Sequence, residues 1–474
     1  MAFVGRQHEL EILAEELSSV REGQGRFVWM RGRRRVGKSR LVEEFLRQSG
    51  IRAAYYQAPR RATDIALRRF VETIAESNLP AADLFGSGVS FDSWPAALRA
   101  STDGATGSQP IALIIDELPY LAEKDDGFPA DLQLAWDRYL KNRPILLVAI
   151  GSDVRMMEAL TQHPAELHDR PTREVVVPPL SPAEVAELAG VSAAEALDIY
   201  LIVGGFPQLA SSWPQGASRA HFLRRALADS ATQFVVDGMR ILDAEFETQT
   251  SARKILASIG HGERTFGHLR DASGISNETT LSSALQLLVH TKQIVEQSLP
   301  YAAPPGKKSK RYTIADPYLR FWLRFIGPNI EEIDRGRSDL AIARIERDWE
   351  TFRGKAIEPI VRRSVERLLI DPNLATRLDG ARYVGSYWTR NNQVEVDLVG
   401  ADAESPKRVA FVGSIKWRTR SPFGRRDVRR LAEQRGAVPG AAAAKLVGVS
   451  RSGFDDNLDL DVRFDPHALI DAWR

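Results

Sequence analysis

At 474 residues the chain has room for about three domains and for sizeable cores. Its 43% hydrophobic and 27% charged residues are those of an ordinary globular protein, and the lack of cysteine excludes disulfides, thiolate zinc sites and cysteine nucleophiles. A net charge of +2 confines any affinity for nucleic acid to local patches. The start, Met1-Ala2-Phe3-Val4-Gly5-Arg6, has no apolar stretch of the secretory kind, and no apolar run approaches the roughly 18 residues of a membrane span. A cytoplasmic protein without membrane contact is the expectation.

In chain order, residues 3–20 carry Leu10, Leu13, Ala14 and Leu17 at helical spacing. Arg26-Phe27-Val28-Trp29-Met30-Arg31 then reads as a strand running into Gly32-Arg33-Arg34-Arg35-Val36-Gly37-Lys38-Ser39, which fits G-x-x-x-x-G-K-[ST]. The glycines let backbone N–H groups curl toward phosphates, Lys38 reaches the β- and γ-phosphates, and the Ser39 hydroxyl joins a Mg²⁺ shell. Leu41, Val42, Phe45 and Leu46 open a helix whose N-terminus favours an anion, so Gly32 to Arg40 is the expected ATP-binding segment. A chance glycine turn is the alternative, and a strand before with a helix after argues against it.

Ile51–Gln57 is the second expected strand, followed by a helix over 63–77 and a loop-rich stretch, Asn78–Gly107, with one short helix near Trp94–Ala100. Ile111-Ala112-Leu113-Ile114-Ile115-Asp116-Glu117 is a continuous apolar run ending in two carboxylates, the pattern of a central parallel strand buried on both faces. Its acids emerge where open α/β sheets place ligands. Asp116 would hold Mg²⁺ and Glu117 would polarise the attacking water; the alternative is an Asp that caps the following helix. Ile145–Ile150 is the next buried strand. Ser152 after it either senses the γ-phosphate or the water, or caps the helix starting near Val154. Arg170 and Arg173, before an edge strand at Val175–Val177, are candidate sources of charge for the transition state, from this chain or a neighbouring copy; solvated arginines are the alternative.

Phe3-Val4-Gly5-Arg6 with Glu9-Leu10, Gly32–Ser39, the Asp116-Glu117 strand, Gly151-Ser152 and Pro179-Leu180-Ser181 together resemble the archaeal-type ATPases, in the STAND branch of the AAA-related P-loop NTPases. The resemblance implies a P-loop core over 1–180 and a helical lid over 181–243. Gly204-Gly205-Phe206-Pro207 is similar to that family's glycine-proline element, which implies that Pro207 faces the nucleotide; a simple helix-breaking turn is the alternative.

Beyond the lid, helices at Arg253–Ile259, Phe266–Ala272 and Glu278 to about His290, then strands at Ile294–Leu299 and Lys310–Ile314, make a winged-helix pattern over 244–326. Its third helix leaves Thr280, Ser283, Gln286 and Lys292 outside, a polar but hardly basic face. The wing tip, Lys307-Lys308-Ser309-Lys310-Arg311, carries the phosphate-friendly charge. Residues 340–474 start with a helix containing Phe352, Gly354 and Glu358 and resemble the PD-(D/E)xK nuclease-like domain that follows many such ATPases. The resemblance implies Asp397 as a metal ligand, Lys416 as the residue that orients water and Glu358 as an outer ligand. Ser414 stands where that pattern has a carboxylate, and a hydroxyl does not replace its charge on Mg²⁺. An inactive domain is therefore expected.

Arg425, Arg426, Arg429 and Arg430, in a stretch with Lys416, Arg418, Arg420 and Arg435 and the aromatics Trp417 and Phe423, suit a nucleic-acid backbone; a solvated face is the alternative. The expected fold is thus α/β: a P-loop NTPase parallel sheet with helical lid, then a winged helix and a C-terminal α/β restriction-endonuclease-like domain. The expected activity is Mg²⁺-dependent ATP hydrolysis coupled to DNA or RNA, with ATP or ADP and nucleic acid as partners and homo-oligomers open. A nucleotide-operated signalling switch that contacts proteins, or an ATP-regulated metal-dependent nuclease, are the competing expectations.

Overall fold

A computed structural model of the chain describes residues 3–246, 248–262, 265–301, 309–389, 393–403 and 408–474. They form two compact units, Met1–Pro179 and Leu180–Arg474.

Five parallel strands make the sheet of the first unit: β1 (Arg26–Arg31), β2 (Arg52–Gln57), β3 (Ile111–Asp116), β4 (Ile145–Gly151) and β5 (Arg173–Val176), in the order β2-β3-β4-β1-β5. Every residue of β3 and β4 is buried, because helices cover both faces. Alternation sorts the side chains: Phe27, Trp29, Ile111, Leu113 and Ile115 enter one apolar cluster, while Val28, Met30, Ala112 and Ile114 enter the other. At the edge, β5 buries Val175 and leaves Val176 exposed. It begins earlier than the expected Val175–Val177, because Val28 to Arg31 of β1 pair with Arg173 to Val176.

The stretch expected to be loop-rich carries a second short helix, Ala82–Gly86, besides Trp94–Ala100. Trp94 packs against Tyr56, Phe70 and Phe128, so a small aromatic core organises this segment. At five residues, Ala82–Gly86 is too short for periodicity to reveal it.

In the second unit the helices Pro182–Ala189 and Ala193–Val203 both start on capping boxes, Ser181 with Glu184 and Ser192 with Glu195. Pro207–Ser212, Arg219–Ala226 and Gln233–Glu245 follow. Helices Thr250–Gly260, Phe266–Ser273 and Glu278–Gln286 then lead into an antiparallel ribbon, β6 (Val295–Ser298) with β7 (Arg311–Ile314). The aromatic segment after it is held by Tyr318, whose hydroxyl donates to Phe234 O at 2.7 Å, and by Trp322, whose Nε1 donates to Val235 O at 2.8 Å. Gly238 leaves room for that indole: a Cβ there would lie 2.3 Å from Trp322.

A helix over Ser338–Ala356 contains Phe352 and Gly354, but Glu358 opens a separate helix, Glu358–Leu368. Pro359 has no N–H for the ladder and suits a first turn, so the single helix expected across this point divides there. The last sheet is mixed: β8 (Tyr383–Trp388), β9 (Glu395–Ala401) and β10 (Val409–Lys416) are antiparallel neighbours, and β11 (Lys445–Ser450) and β12 (Val462–Phe464) extend it in parallel. One continuous apolar cluster runs from Leu180 to Ile470 through helices, ribbon and sheet. Among the described residues no helix is long and apolar enough to cross a membrane.

Candidate nucleotide-binding site

Strand register brings the candidate residues together at the C-terminal ends of the central strands of the first sheet. Arg31 aligns with Gly151 and Ile115 with Ala149, so the segments after β1, β3 and β4 leave together. The loop after β1 needs its glycines for different reasons. At Gly32 a Cβ would lie 2.5 Å from Val177 O, and Gly37 sits at φ 93° as the residue before the helix Lys38–Ser49. Arg35 also takes a left-handed φ of 68°. The first backbone bond of that helix is Leu41 N to Gly37 O, so the amides of Lys38, Ser39 and Arg40 have no acceptor within it. Its first turn holds no acidic side chain to compete with an anion. The Arg40 side chain pairs with Glu43 on the helix surface, which leaves its amide as the part available to a phosphate.

Lys38 is 7% exposed, and its Nζ donates to Gly32 O at 2.7 Å and Arg33 O at 3.0 Å, closing the loop on itself. Burial lowers its pKa to about 8, against the opposing pull of Glu117 and Asp116. Ser39 Oγ donates to Asp116 Oδ2 at 2.8 Å. The same oxygen accepts from the Tyr55 hydroxyl at 2.6 Å, and Oδ1 accepts from Glu117 N at 2.9 Å. Burial and the adjacent carboxylate push the Tyr55 hydroxyl well above its ordinary pKa, so it stays a donor. Asp116 is thereby fixed by three donors.

Glu117 turns the chain sharply at φ 55°, a backbone conformation costing a non-glycine residue roughly 1–2 kcal/mol. Its carboxylate accepts from Ser152 Oγ at 2.8 and 2.9 Å. Ser152 thus turns to Glu117 and does not cap the next helix; Asp153 caps it, with Oδ1 accepting from Met156 N at 3.0 Å. Arg34 donates to the Tyr120 hydroxyl and, at 3.4 Å, to Ser152 Oγ. Beneath the loop, buried Arg6 donates to Val36 O at 3.0 Å and to Pro178 O, tying the loop to the segment after β5. Tyr55, Tyr120 and the clamp made by Arg6 are absent from the sequence expectations; the Tyr55-Tyr56 pair on β2 offered only alternation as a signal.

Arg170 donates to His168 O at 2.6 Å and pairs with Asp137 at 3.2 Å, and Arg173 is exposed on the edge strand. Pro207 belongs to the second unit, where it begins the helix Pro207–Ser212; within that unit Gly204 packs on Tyr318, a Cβ there lying 3.1 Å from the Tyr318 Cβ.

A second carboxylate cluster lies in the mixed sheet. Asp397 Oδ2 accepts from Ser414 Oγ at 3.1 Å and Ile415 N at 2.8 Å, and Lys416 Nζ donates to Ser414 Oγ at 2.7 Å. Glu358 is paired with Lys355 at 3.1 Å and Arg362 at 3.6 Å. Glu395 is paired with Lys355 at 3.1 Å and Arg311 at 2.8 Å, and the Arg311 guanidinium also lies 4.3 Å from the Trp388 ring centroid. Arg311 is thus an internal partner of Glu395 and not the exposed wing-tip cation expected of it. Of the rest of that cluster, Lys310 is half-buried, whereas Lys307 and Lys308 lie outside the described residues. Lys292, expected on the outer face of the third helix, is paired with Glu245 at 2.7 Å. Arg425, Arg426, Arg429 and Arg430 are exposed on the helix Arg425–Arg435, which buries Leu431. Among the described residues none of these four has an ion-pair partner, while Arg418 is held by Asp427 at 2.8 Å.

Residues 2–149 match the AAA ATPase domain, and residues 322–431 match a family of archaeal and bacterial proteins of unknown function. An uncharacterized protein of Methanocaldococcus jannaschii is 26% identical over 434 residues, 90% of either chain. Among solved structures, the Walker-type ATPase of Pyrococcus abyssi is similar at 18% identity over 68% of this chain and 96% of that one, with a TM-score of 0.49. The ORC2 protein of Aeropyrum pernix in its ADPNP and ADP complexes is similar at 14% identity over 72% of this chain and 95% of that one, with a TM-score of 0.45. The match to the AAA ATPase domain, over the segment that carries this loop and carboxylate pair, supports ATP binding and hydrolysis by the first unit.

Proposed function

We propose that the chain is a Mg²⁺-dependent ATPase whose turnover is coupled to nucleic-acid binding. The observation that carries the ATPase is the convergence of Lys38, Ser39, Asp116 and Glu117 at the C-terminal ends of the central strands, with the open amides of a helix N-terminus beside them. In this reading the amides from Gly32 to Arg40 and Lys38 hold the phosphates, and Ser39 and Asp116 hold the cation. Mg²⁺ there would neutralise charge on the β- and γ-phosphates. Glu117 accepts a proton from the attacking water, positioned by Ser152.

The nucleic-acid half rests on Arg425, Arg426, Arg429 and Arg430, four exposed cations of one helix without ion-pair partners among the described residues. Residues 181–243 serve as the lid and 244–326 as a winged helix. The 340–474 segment is a nuclease-like domain that binds without cutting, because Arg311, Lys355 and Arg362 already neutralise Glu395 and Glu358. One observation favours the signalling-switch reading instead: the third helix of the 244–326 segment presents Thr280, Ser283 and Gln286 outward, a face without positive charge. ATPase rates measured with and without duplex DNA, single-stranded DNA and RNA separate the two. A rate that no nucleic acid changes, together with no binding at low salt, removes the nucleic-acid half.

A further inference from the structure

An ATPase site needs positive charge where the γ-phosphoryl group builds up negative charge, on the side from which water attacks. Arg170 is engaged by Asp137 and Arg173 lies on an exposed edge strand, so neither is aimed at Glu117 in this chain. Arg34, inside the phosphate loop, is. Its Nε lies 3.4 Å from Ser152 Oγ, and that hydroxyl donates to both Glu117 oxygens. Its Nη2 is held by the Tyr120 hydroxyl, and the Tyr120 ring is flanked by Arg60 on its face, with the guanidinium carbon 5.4 Å from the centroid. Arg60 is itself paired with Glu123 at 3.0 Å. Both contacts of Arg34 are neutral hydroxyls. Among the described residues no carboxylate lies within ion-pair distance of it, so its charge is oriented without being neutralised.

We propose that Arg34 is a catalytic residue that supplies the transition-state charge from within its own chain, with Ser152 and Tyr120 holding it on the Glu117 side of the loop. This rests on the ATPase reading of the site. In the step, the water oxygen forms a bond to the γ-phosphorus, and the bond from that phosphorus to the bridging oxygen breaks with its electron pair leaving on ADP. One water proton passes to Glu117 and then to solvent, and ATP and water become ADP and phosphate. Arg34 donates hydrogen bonds to the γ-phosphoryl oxygens and exchanges no proton.

The test is Arg34→Ala in the full chain. Turnover at saturating ATP falls ~10³-fold, the low side of what such arginines contribute. ADP affinity stays within about twofold, because ADP lacks the group that Arg34 serves. Trapping gives a second readout: with Mg²⁺, ADP and aluminium fluoride, the parent retains ADP and Arg34→Ala releases it. Tyr120→Phe gives a smaller loss of turnover with ADP affinity kept. Turnover in Arg34→Ala equal to the parent, or ATP and ADP affinities falling together with turnover retained, overturns the assignment. So does activity regained on mixing Arg34→Ala with Lys38→Ala chains, which would mean that the charge crosses between copies. A parent that binds no nucleotide, or turns over no faster than Glu117→Gln, overturns the ATPase reading itself and Arg34 with it.

Discussion

Two clusters of carboxylates differ in the kind of partner they meet: one at the end of β3, the other formed by Glu358 at a helix start with Glu395 and Asp397 of β9. Asp116 and Glu117 are met by hydroxyls from Ser39, Tyr55 and Ser152, with the buried Lys38 close by. Glu358 and Glu395 are met by the fixed cations Lys355, Arg362 and Arg311, while Asp397 is held by Ser414, a backbone amide and, through Ser414, Lys416. Hydroxyls orient a carboxylate and leave its charge in place for a cation or a proton. Arginines and lysines cancel that charge and fill the space. Burial pulls the pKa of Lys416 down, and Asp397 and Asp427 oppose the shift, as Asp116 and Glu117 do for Lys38. The same residue types thus make one cluster oriented by hydroxyls and one largely neutralised by cations.

The contrast breaks most visibly at Glu117. Glu117→Gln keeps the donors and shape of its surroundings and removes the proton acceptor, so turnover falls by about 10²–10⁴-fold while ATP still binds. Equal turnover in the variant and the parent would strip Glu117 of its role. Next in size is the arginine helix. Each phosphate contact on duplex DNA adds about 0.9 to the slope of log affinity against log salt, so Ala at Arg425, Arg426, Arg429 and Arg430 flattens it by up to ~3–4 units. A salt series with slope and affinity unchanged makes the helix an ordinary solvated face.

A smaller effect sharpens the first cluster. Lys38 titrates near 8 when no phosphate is bound, and a bound triphosphate favours its charged form. Binding above pH 8 therefore takes up a proton, so affinity falls as pH rises through 8, by at most ~10-fold per pH unit. Below that pH the lysine is already charged and the affinity is level. Titration calorimetry from pH 6.5 to 9.5 reads this, and a flat profile would place the Lys38 pKa well above 8. The smallest effect belongs to the second cluster. Asp397→Ala strands the Ile415 amide, which costs about 1–3 kcal/mol of stability. It leaves Mg²⁺ or Mn²⁺ binding and the absence of DNA cleavage as in the parent. Metal-dependent nicking lost in Asp397→Ala would show that the cations give way to a metal.

The sequence by itself determined what adjacent residues encode. The strand, loop and helix around Gly32 to Arg40 are written in consecutive residues, as are the apolar runs that became β3 and β4 and the Asp116-Glu117 pair that ends one of them. Glycine placement, buried runs and helical spacing are local quantities, and local chemistry suffices to read them. Tertiary structure decided what those residues touch. Tyr55 reaches Asp116 across 61 positions of sequence, Arg6 reaches Pro178 across 172, and Arg311 reaches Glu395 across 84. Whether Ser152 caps a helix or holds Glu117, and whether Arg311 faces solvent or cancels a carboxylate, depends on which distant segment packs beside it. No period or motif in the chain carries that information; the shape of the packed core does.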